Sequence, residues 1–105
     1  MSSMIPRGNI NELQIVSVAL TPSAVSANTT AQQTFTVPGV KTTDVVISVE
    51  KPSHQAGLGI VGARVTAADT VGITFSNNTG AGITPTAGET YDFVIARLDS
   101  TQAVF

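Results

Sequence analysis

Residues 60–77 have the sequence IVGARVTAADTVGITFSN, which predicts two β-strands folded against each other. The alternating apolar residues are Val61, Ala63 and Val65 in the first strand and Val71, Ile73 and Phe75 in the second. A period of two, with β-branched and aromatic residues on one side, is typical of a half-buried strand. The polar turn at residues 67–69 favours antiparallel pairing with both apolar rows facing one way. Such a hairpin needs a second layer to cover it.

Four more segments have strand character, namely residues 13–20, 32–37, 43–50 and 90–98. The first and the last of them are apolar on both faces, which is typical of strands covered on both sides or placed at a subunit contact. No segment has a helical period, so the chain predicts an all-β fold, an antiparallel β-sandwich or jelly-roll-like barrel. The hairpin and strand 90–98 are expected to face strands 32–37 and 43–50 across about 10 Å. The predicted core consists of Phe35, Val45, Ile47, Val49, Val61, Val65, Ile73, Phe75, Phe93 and Ile95.

Length and composition limit the classes of function. A chain of 105 residues predicts a single small domain, here residues 13–98, with an N-terminal arm (1–12) and a C-terminal tail (99–105). Cysteine is absent, and only 11% of the residues are charged, against a typical value of about 25%. The net charge of -2 gives no attraction to nucleic acid or to anionic lipid, and no apolar run is long enough to span a membrane. We therefore expect a surface of neutral polar residues, or one largely covered by partners.

The only histidine, His54, is the one candidate general base for nucleophilic catalysis. A catalytic triad would combine it with Ser53 and one of three aspartates, Asp44, Asp69 or Asp92. Because nothing in the surrounding SHQAG segment indicates a strained nucleophile turn, we interpret His54 as an exposed loop residue and predict no catalytic residue.

Scattered carboxylates give no defined metal or sugar-cleaving site. Glu89 and Asp92 are close in sequence, but no D-x-D-x-D-G calcium loop is present, so neither metal nor cofactor is predicted. A carboxylate pair of the glycosidase type stays open at this point. The scarcity of aromatic residues, four Phe and one Tyr, argues against a sugar-binding cleft.

Residues 57–62, GLGIVG, match the pattern G-x-G-x-x-G. In a dinucleotide-binding protein this motif follows a strand and opens a helix whose N-terminus holds the pyrophosphate. Here it opens a predicted strand, so we assign its glycines to chain bending and close backbone packing.

Three pieces of the chain resemble small structural proteins of tailed bacteriophages: residues 20–40 (LTPSAVSANTTAQQTFTVPGV), 44–79 (DVVISVEKPSHQAGLGIVGARVTAADTVGITFSNNT) and 83–98 (ITPTAGETYDFVIARL). The resemblance lies in their order and their Thr-, Ala- and Gly-rich strand texture. It implies a non-enzymatic virion protein, namely a capsid decoration (cement) protein on the outside of the head. It also implies a homotrimer that binds the major capsid protein where capsid subunits meet.

Two other classes compete with this expectation. The first is a head- or tail-fibre tip domain that binds a receptor or glycan on the host cell, although 105 residues leave no room for a shaft. The second is a small hydrolase, for which no motif was found. The arm, with Met4, Ile5 and Ile10, is expected to become ordered on a neighbouring protein.

Overall fold

The protein folds as a sandwich of two antiparallel three-stranded sheets in a computed structural model that describes residues 10–98. Its strands are β1 (Ile10–Leu20), β2 (Thr29–Thr36), β3 (Val45–Glu50), β4 (Leu58–Ala67), β5 (Thr70–Asn77) and β6 (Glu89–Leu98). The predicted all-β sandwich is therefore confirmed. Within residues 10–98 there is no helix long and apolar enough to cross a membrane.

The first sheet has the strand order β1-β6-β3, and the second has the order β2-β5-β4. The predicted hairpin of residues 60–77 is present as β4 and β5. The predicted division between the layers is wrong, because β2 pairs with the hairpin and β3 pairs with β6. The physical reason lies in the two central strands. Each has a fully buried inward row and uses both of its edges for hydrogen bonding, so β5 and β6 each need two neighbours.

The core lies between the inner faces of β5 and β6. Its buried apolar residues are Leu20, Val25, Val37, Val40, Val71, Ile73, Phe75, Tyr91, Phe93 and Ile95. Four of the predicted core residues, Ile73, Phe75, Phe93 and Ile95, are among them. Three more, Phe35, Val49 and Val65, are partly buried and pack against this cluster.

Three predicted core residues, Val45, Ile47 and Val61, are instead exposed. The cause in β3 and β4 is a β-bulge, which inserts one extra residue and shifts the inward positions. In β3, Val46 lies opposite Ile95 and Val49 lies opposite Phe93, so three residues of β3 span two residues of β6.

The bulge in β4 has the same effect. Ile60 lies opposite Phe75 and Ala63 lies opposite Ile73, which leaves Val61 as the extra residue, 67% exposed. Strict alternation therefore gives the wrong face for the residues at both bulges.

Strand β1 begins at Ile10, three residues before its predicted start. The predicted arm of residues 1–12 is therefore too long, because Ile10 pairs with Leu98 and Glu12 pairs with Arg97. The rest of the arm (1–9) and the predicted tail (99–105) lie outside the described residues. Ile10 and Leu98, the first and last described residues, are paired at one end of the first sheet.

Candidate functional site

The most distinctive surface is the outward side of the first sheet. Side chains on β1 alternate, so that Val16 and Val18 pack on the core while the residues between them face outward. The exposed large hydrophobic residues on this side are Ile10, Leu13, Ile15, Val45, Ile47 and Leu98. We call these six residues, together with Val94 and Ala96 between them, the apolar face.

The register of the strands arranges the apolar face in rows across the sheet. Leu13 of β1, Ala96 of β6 and Val45 of β3 form one row, and Ile15 and Val94 form part of the next. Leu13 is 63% exposed and Val45 is 49% exposed, whereas Ala96 between them is only 3% exposed. A small residue between two larger ones makes a shallow dip at Ala96, with Leu13 on one side and Val45 on the other.

A polar row limits the apolar face along the strands. The hydroxyl of Ser17 donates a hydrogen bond to Oδ1 of Asp92 at 2.6 Å, and Glu50 lies opposite Asp92 on the other side. The apolar face thus covers the half of the sheet nearest to the paired residues Ile10 and Leu98.

The outward side of the second sheet has the opposite character. Its side chains are mainly hydroxyls and amides, from Thr30, Gln32, Thr34, Thr36, Thr70, Thr74 and Ser76. Arg64 of β4 reaches across Gly72 of β5 and donates from Nε to Oε1 of Gln32 at 2.9 Å. Of the two outer sides of the sandwich, only that of the first sheet is therefore apolar, as surfaces that are buried in a contact usually are.

The bulges of β3 and β4 extend the apolar face around the edge of the sandwich. Ile47 and Val61 are both exposed and line one groove of about 300 Å³ between these two edge strands. Bulged edge strands resist the addition of a further strand. The groove therefore offers apolar side-chain surface and not a free backbone edge.

The structure does not bring His54 together with an aspartate. His54 and Ser53 are exposed in the loop after β3, where the backbone oxygen and the hydroxyl of Ser53 accept hydrogen bonds from Nζ of Lys51 at 2.8 and 3.0 Å.

The three candidate aspartates of a triad have other partners. The carboxylate of Asp44 accepts hydrogen bonds from Arg97, that of Asp69 accepts one from the backbone amide of Gly39, and that of Asp92 accepts one from the hydroxyl of Ser17.

The two neighbouring carboxylates, Glu89 and Asp92, lie on opposite faces of β6 because an odd spacing reverses the direction of the side chain. Glu89 forms an ion pair with Nζ of Lys51 at 3.1 Å, whereas Asp92 faces outward beside Ser17. Residues 10–98 contain no group of three or more histidine or acidic side chains that is placed to hold a metal ion.

The glycine motif lies at the start of β4, as the sequence predicts. Gly57 precedes the strand with a φ of +83°, which favours glycine, and Gly59 and Gly62 lie within it. A side chain at position 57 would also collide with the methyl group of Thr79. These constraints explain Gly57 by local backbone geometry.

No family model, curated protein or solved structure matches the chain. The chemistry of the surface must therefore be argued from the residues themselves. The apolar face has no nucleophile beside a base and no cluster of positive charge, so what it can do is bind another apolar surface by excluding water.

Sequence reasoning found part of this surface. The apolar character of both faces of strands 13–20 and 90–98 already indicated strands that are covered on both sides or lie at a subunit contact. It missed Val45 and Ile47, which it assigned to the core. The signal that identifies them is the bulge, and that depends on the pairing of β3 with β6.

Proposed function

We propose that this protein is a structural component of a bacteriophage virion, a decoration protein that stabilises the assembled head. In this role it binds the major capsid protein on the capsid exterior, at junctions between subunits, as a closed homo-oligomer. The resemblance described above suggests a homotrimer. The single observation that carries the assembly role is the apolar face, because an exposed apolar patch at the upper end of the range found on monomers is often a contact surface.

The charge distribution supports a role in assembly. Charged side chains are few, and several of them are engaged within the domain, such as Arg97 with Asp44 and Lys51 with Glu89. Few charges therefore remain for an electrostatic interface, so the contacts with a capsid are expected to be apolar or neutral and hydrogen-bonded. Several copies that bind together on one particle reach high avidity even when each contact is weak.

A decoration protein stabilises the capsid by mass action, since it binds the assembled lattice and not the free subunits. The test uses capsids of the phage that encodes the chain, prepared with and without the protein. Stripped particles are expected to break at a lower temperature, and adding the purified full chain is expected to restore the original breaking temperature. The restored value should change little between low and high salt, because screening weakens charge contacts and leaves apolar contacts intact.

The first nine residues give a second readout in the same experiment. Removing residues 1–9 is expected to weaken binding to stripped capsids while the sandwich stays folded, since the described domain begins at Ile10. The truncation must stop before Glu12, because this carboxylate contacts Nη1 of Arg97 at 3.5 Å.

A fibre-tip domain gives the opposite result. Particles that lack the protein would then be as heat-resistant as complete ones and would adsorb less well to host cells. That outcome would replace the decoration role by receptor binding.

A further inference from the structure

We infer that the apolar face is the self-association surface of this protein, covered by the same face of further copies of the chain. The inference deepens the proposed function, because it names the partner of this surface and leaves the capsid to bind elsewhere on the oligomer. It depends on the position, shape and charge of the face.

The area of the face is the first argument. Its six exposed residues leave roughly 600 Å² in solvent, which is the upper end of the range for patches on monomers. Stable interfaces bury about 800 Å² on each partner, so the apolar face supplies most of the area that contact between two copies needs.

The shape of the face is the second argument. The dip at Ala96 has Leu13 of β1 on one side and Val45 of β3 on the other. A large side chain of one copy can enter the dip of another, and this contact is reciprocal when the two copies are related by a two-fold axis. A three-fold axis instead brings one part of the face against a different part of the face of the next copy.

The charges are the third argument. The rows of the apolar face contain no charged side chain, so the surface offers nothing that would select an oppositely charged partner. Among residues 10–98 the nearest outward-facing carboxylates, Asp92 and Glu50, lie in the polar row at one end of the face. When the strands of two stacked copies run in opposite directions, these carboxylates lie at opposite ends of the contact. Asp92 needs no group from another chain, because it already accepts a hydrogen bond from Ser17 of its own chain.

The test measures the mass of the full chain in solution in the absence of capsids. Light scattering after size-exclusion chromatography, from 1 to 100 μM, is expected to give a multiple of the 10.8 kDa chain mass. Ile15→Glu places a charge on the apolar face at a position that is 69% exposed, and it is expected to reduce the mass to that of one chain.

Thr34→Glu is the matched control. It introduces the same charge at an exposed position on the outward side of the second sheet, in the edge strand β2 opposite Gly72. This variant is expected to leave the oligomer intact. Thermal unfolding of both variants confirms that they are folded. A parent chain that is monomeric at 100 μM, or an Ile15→Glu variant that keeps its full mass, would overturn the inference.

Cross-linking adds a direct readout because the natural chain contains no cysteine. Ile15→Cys is expected to form covalent oligomers with a short bis-maleimide linker at low protein concentration, whereas Thr34→Cys is expected to stay monomeric on a denaturing gel. Equal cross-linking of the two variants would also contradict the inference.

The inference and the proposed function can fail separately. A monomeric chain that still restores stripped capsids would remove the self-association surface and leave the decoration role standing. An oligomer held by the apolar face that neither binds capsids nor restores them would do the reverse.

Discussion

The guanidinium group of Arg97 donates hydrogen bonds to both carboxylate oxygens of Asp44, with Nε 3.0 Å from Oδ1 and Nη2 2.9 Å from Oδ2. Asp44 is buried, and its Oδ2 also accepts from the backbone amide of Lys41. Nη2 of Arg97 donates further to the carbonyl of Gly39. This pair therefore fastens the loop between β2 and β3, which crosses from one sheet to the other, onto strand β6 of the first sheet.

Replacing Asp44 is expected to lower the stability of the fold. Asp44→Asn keeps the size of the side chain but removes its charge and presents an N–H donor where two donors already converge. We expect the free energy of unfolding to fall by about 1–3 kcal/mol, the range for hydrogen bonds to charged groups. Urea unfolding at pH 7 measures the change. Asp92→Asn, on the outer face, is the control and should change stability by less than about 0.5 kcal/mol.

The same pair predicts how stability depends on acidity. The hydrogen bonds from Arg97 hold the pKa of Asp44 below its usual value, and the amide of Lys41 adds to the effect against the cost of burial. Between the lowered pKa and the ordinary value near 4, the unfolded chain binds more protons, so stability falls as the pH decreases through this range. The melting temperature of the parent should therefore fall more steeply below pH 4 than that of Asp44→Asn. Parallel curves would contradict the prediction.

Tyr91 is fully buried, and within the described part of the chain its hydroxyl has no hydrogen-bond partner. Because an unpaired buried hydroxyl loses its hydration without compensation, Tyr91→Phe is expected to retain the core packing and raise the free energy of unfolding by about 1 kcal/mol. Chemical denaturation at neutral pH checks this. A clear loss of stability in the variant would show that the hydroxyl makes a favourable contact.

At high pH the same substitution has a second expected effect. Burial raises the pKa of Tyr91 to about 12, and the negative charge of Glu89 contributes. Between pH 10 and the raised value the unfolded chain loses the phenolic proton first, so the parent loses up to about 1.4 kcal/mol of stability per pH unit from this group. The difference in stability between Tyr91→Phe and the parent should therefore widen from pH 9 to pH 11. A constant difference would contradict the assignment.

Asn77 uses its whole hydrogen-bonding capacity. Its amide nitrogen donates to the carbonyls of Val25 and Ala81 at 3.0 and 2.8 Å, and its oxygen accepts from the amide and the hydroxyl of Thr79. It thereby joins the β1–β2 loop to the β5–β6 loop beside the two hydrogen bonds between Val25 and Ile83.

Removing this side chain should loosen the loop end of the sandwich. Asn77→Ala leaves buried backbone groups without partners, and we expect a loss of about 2–3 kcal/mol. Asn78→Ala, at the exposed neighbouring position, is the control and is expected to be nearly neutral. Equal melting temperatures for the two variants would disprove a structural role for Asn77.

The β-bulge in β4 can be tested with one buried and one exposed residue. Phe75→Ala is expected to cost about 3–5 kcal/mol, since it removes a fully buried ring from the centre of the core. Val61→Ala should change stability by less than about 0.5 kcal/mol, because Val61 is the exposed extra residue of the bulge. Urea unfolding of the two variants gives both values. If Val61→Ala costs as much as removal of a core residue, Val61 faces inward and the bulge is misplaced.

Local pattern was enough for the fold class and for the centre of the core. The alternation of Val71, Ile73 and Phe75, and of Phe93 and Ile95, places the correct side chains inside because both strands are regular across these residues. The apolar residues on both sides of β1 likewise pointed to a surface that must be covered. Such features depend on one strand at a time, so the order of residues is sufficient to predict them.

Pairing between distant strands decided the rest. Val45, Ile47 and Val61 have the composition of core residues, and only the register against β5 and β6 shows that the bulges turn them outward. The division into sheets also depends on which strands share hydrogen bonds across long loops, and the sequence contains no local signal for this. A one-residue shift in register reverses every following side chain, because successive residues of a strand point to opposite faces. For that reason the sequence determined a two-layer β fold with surplus apolar surface, and the tertiary structure determined where that surface lies.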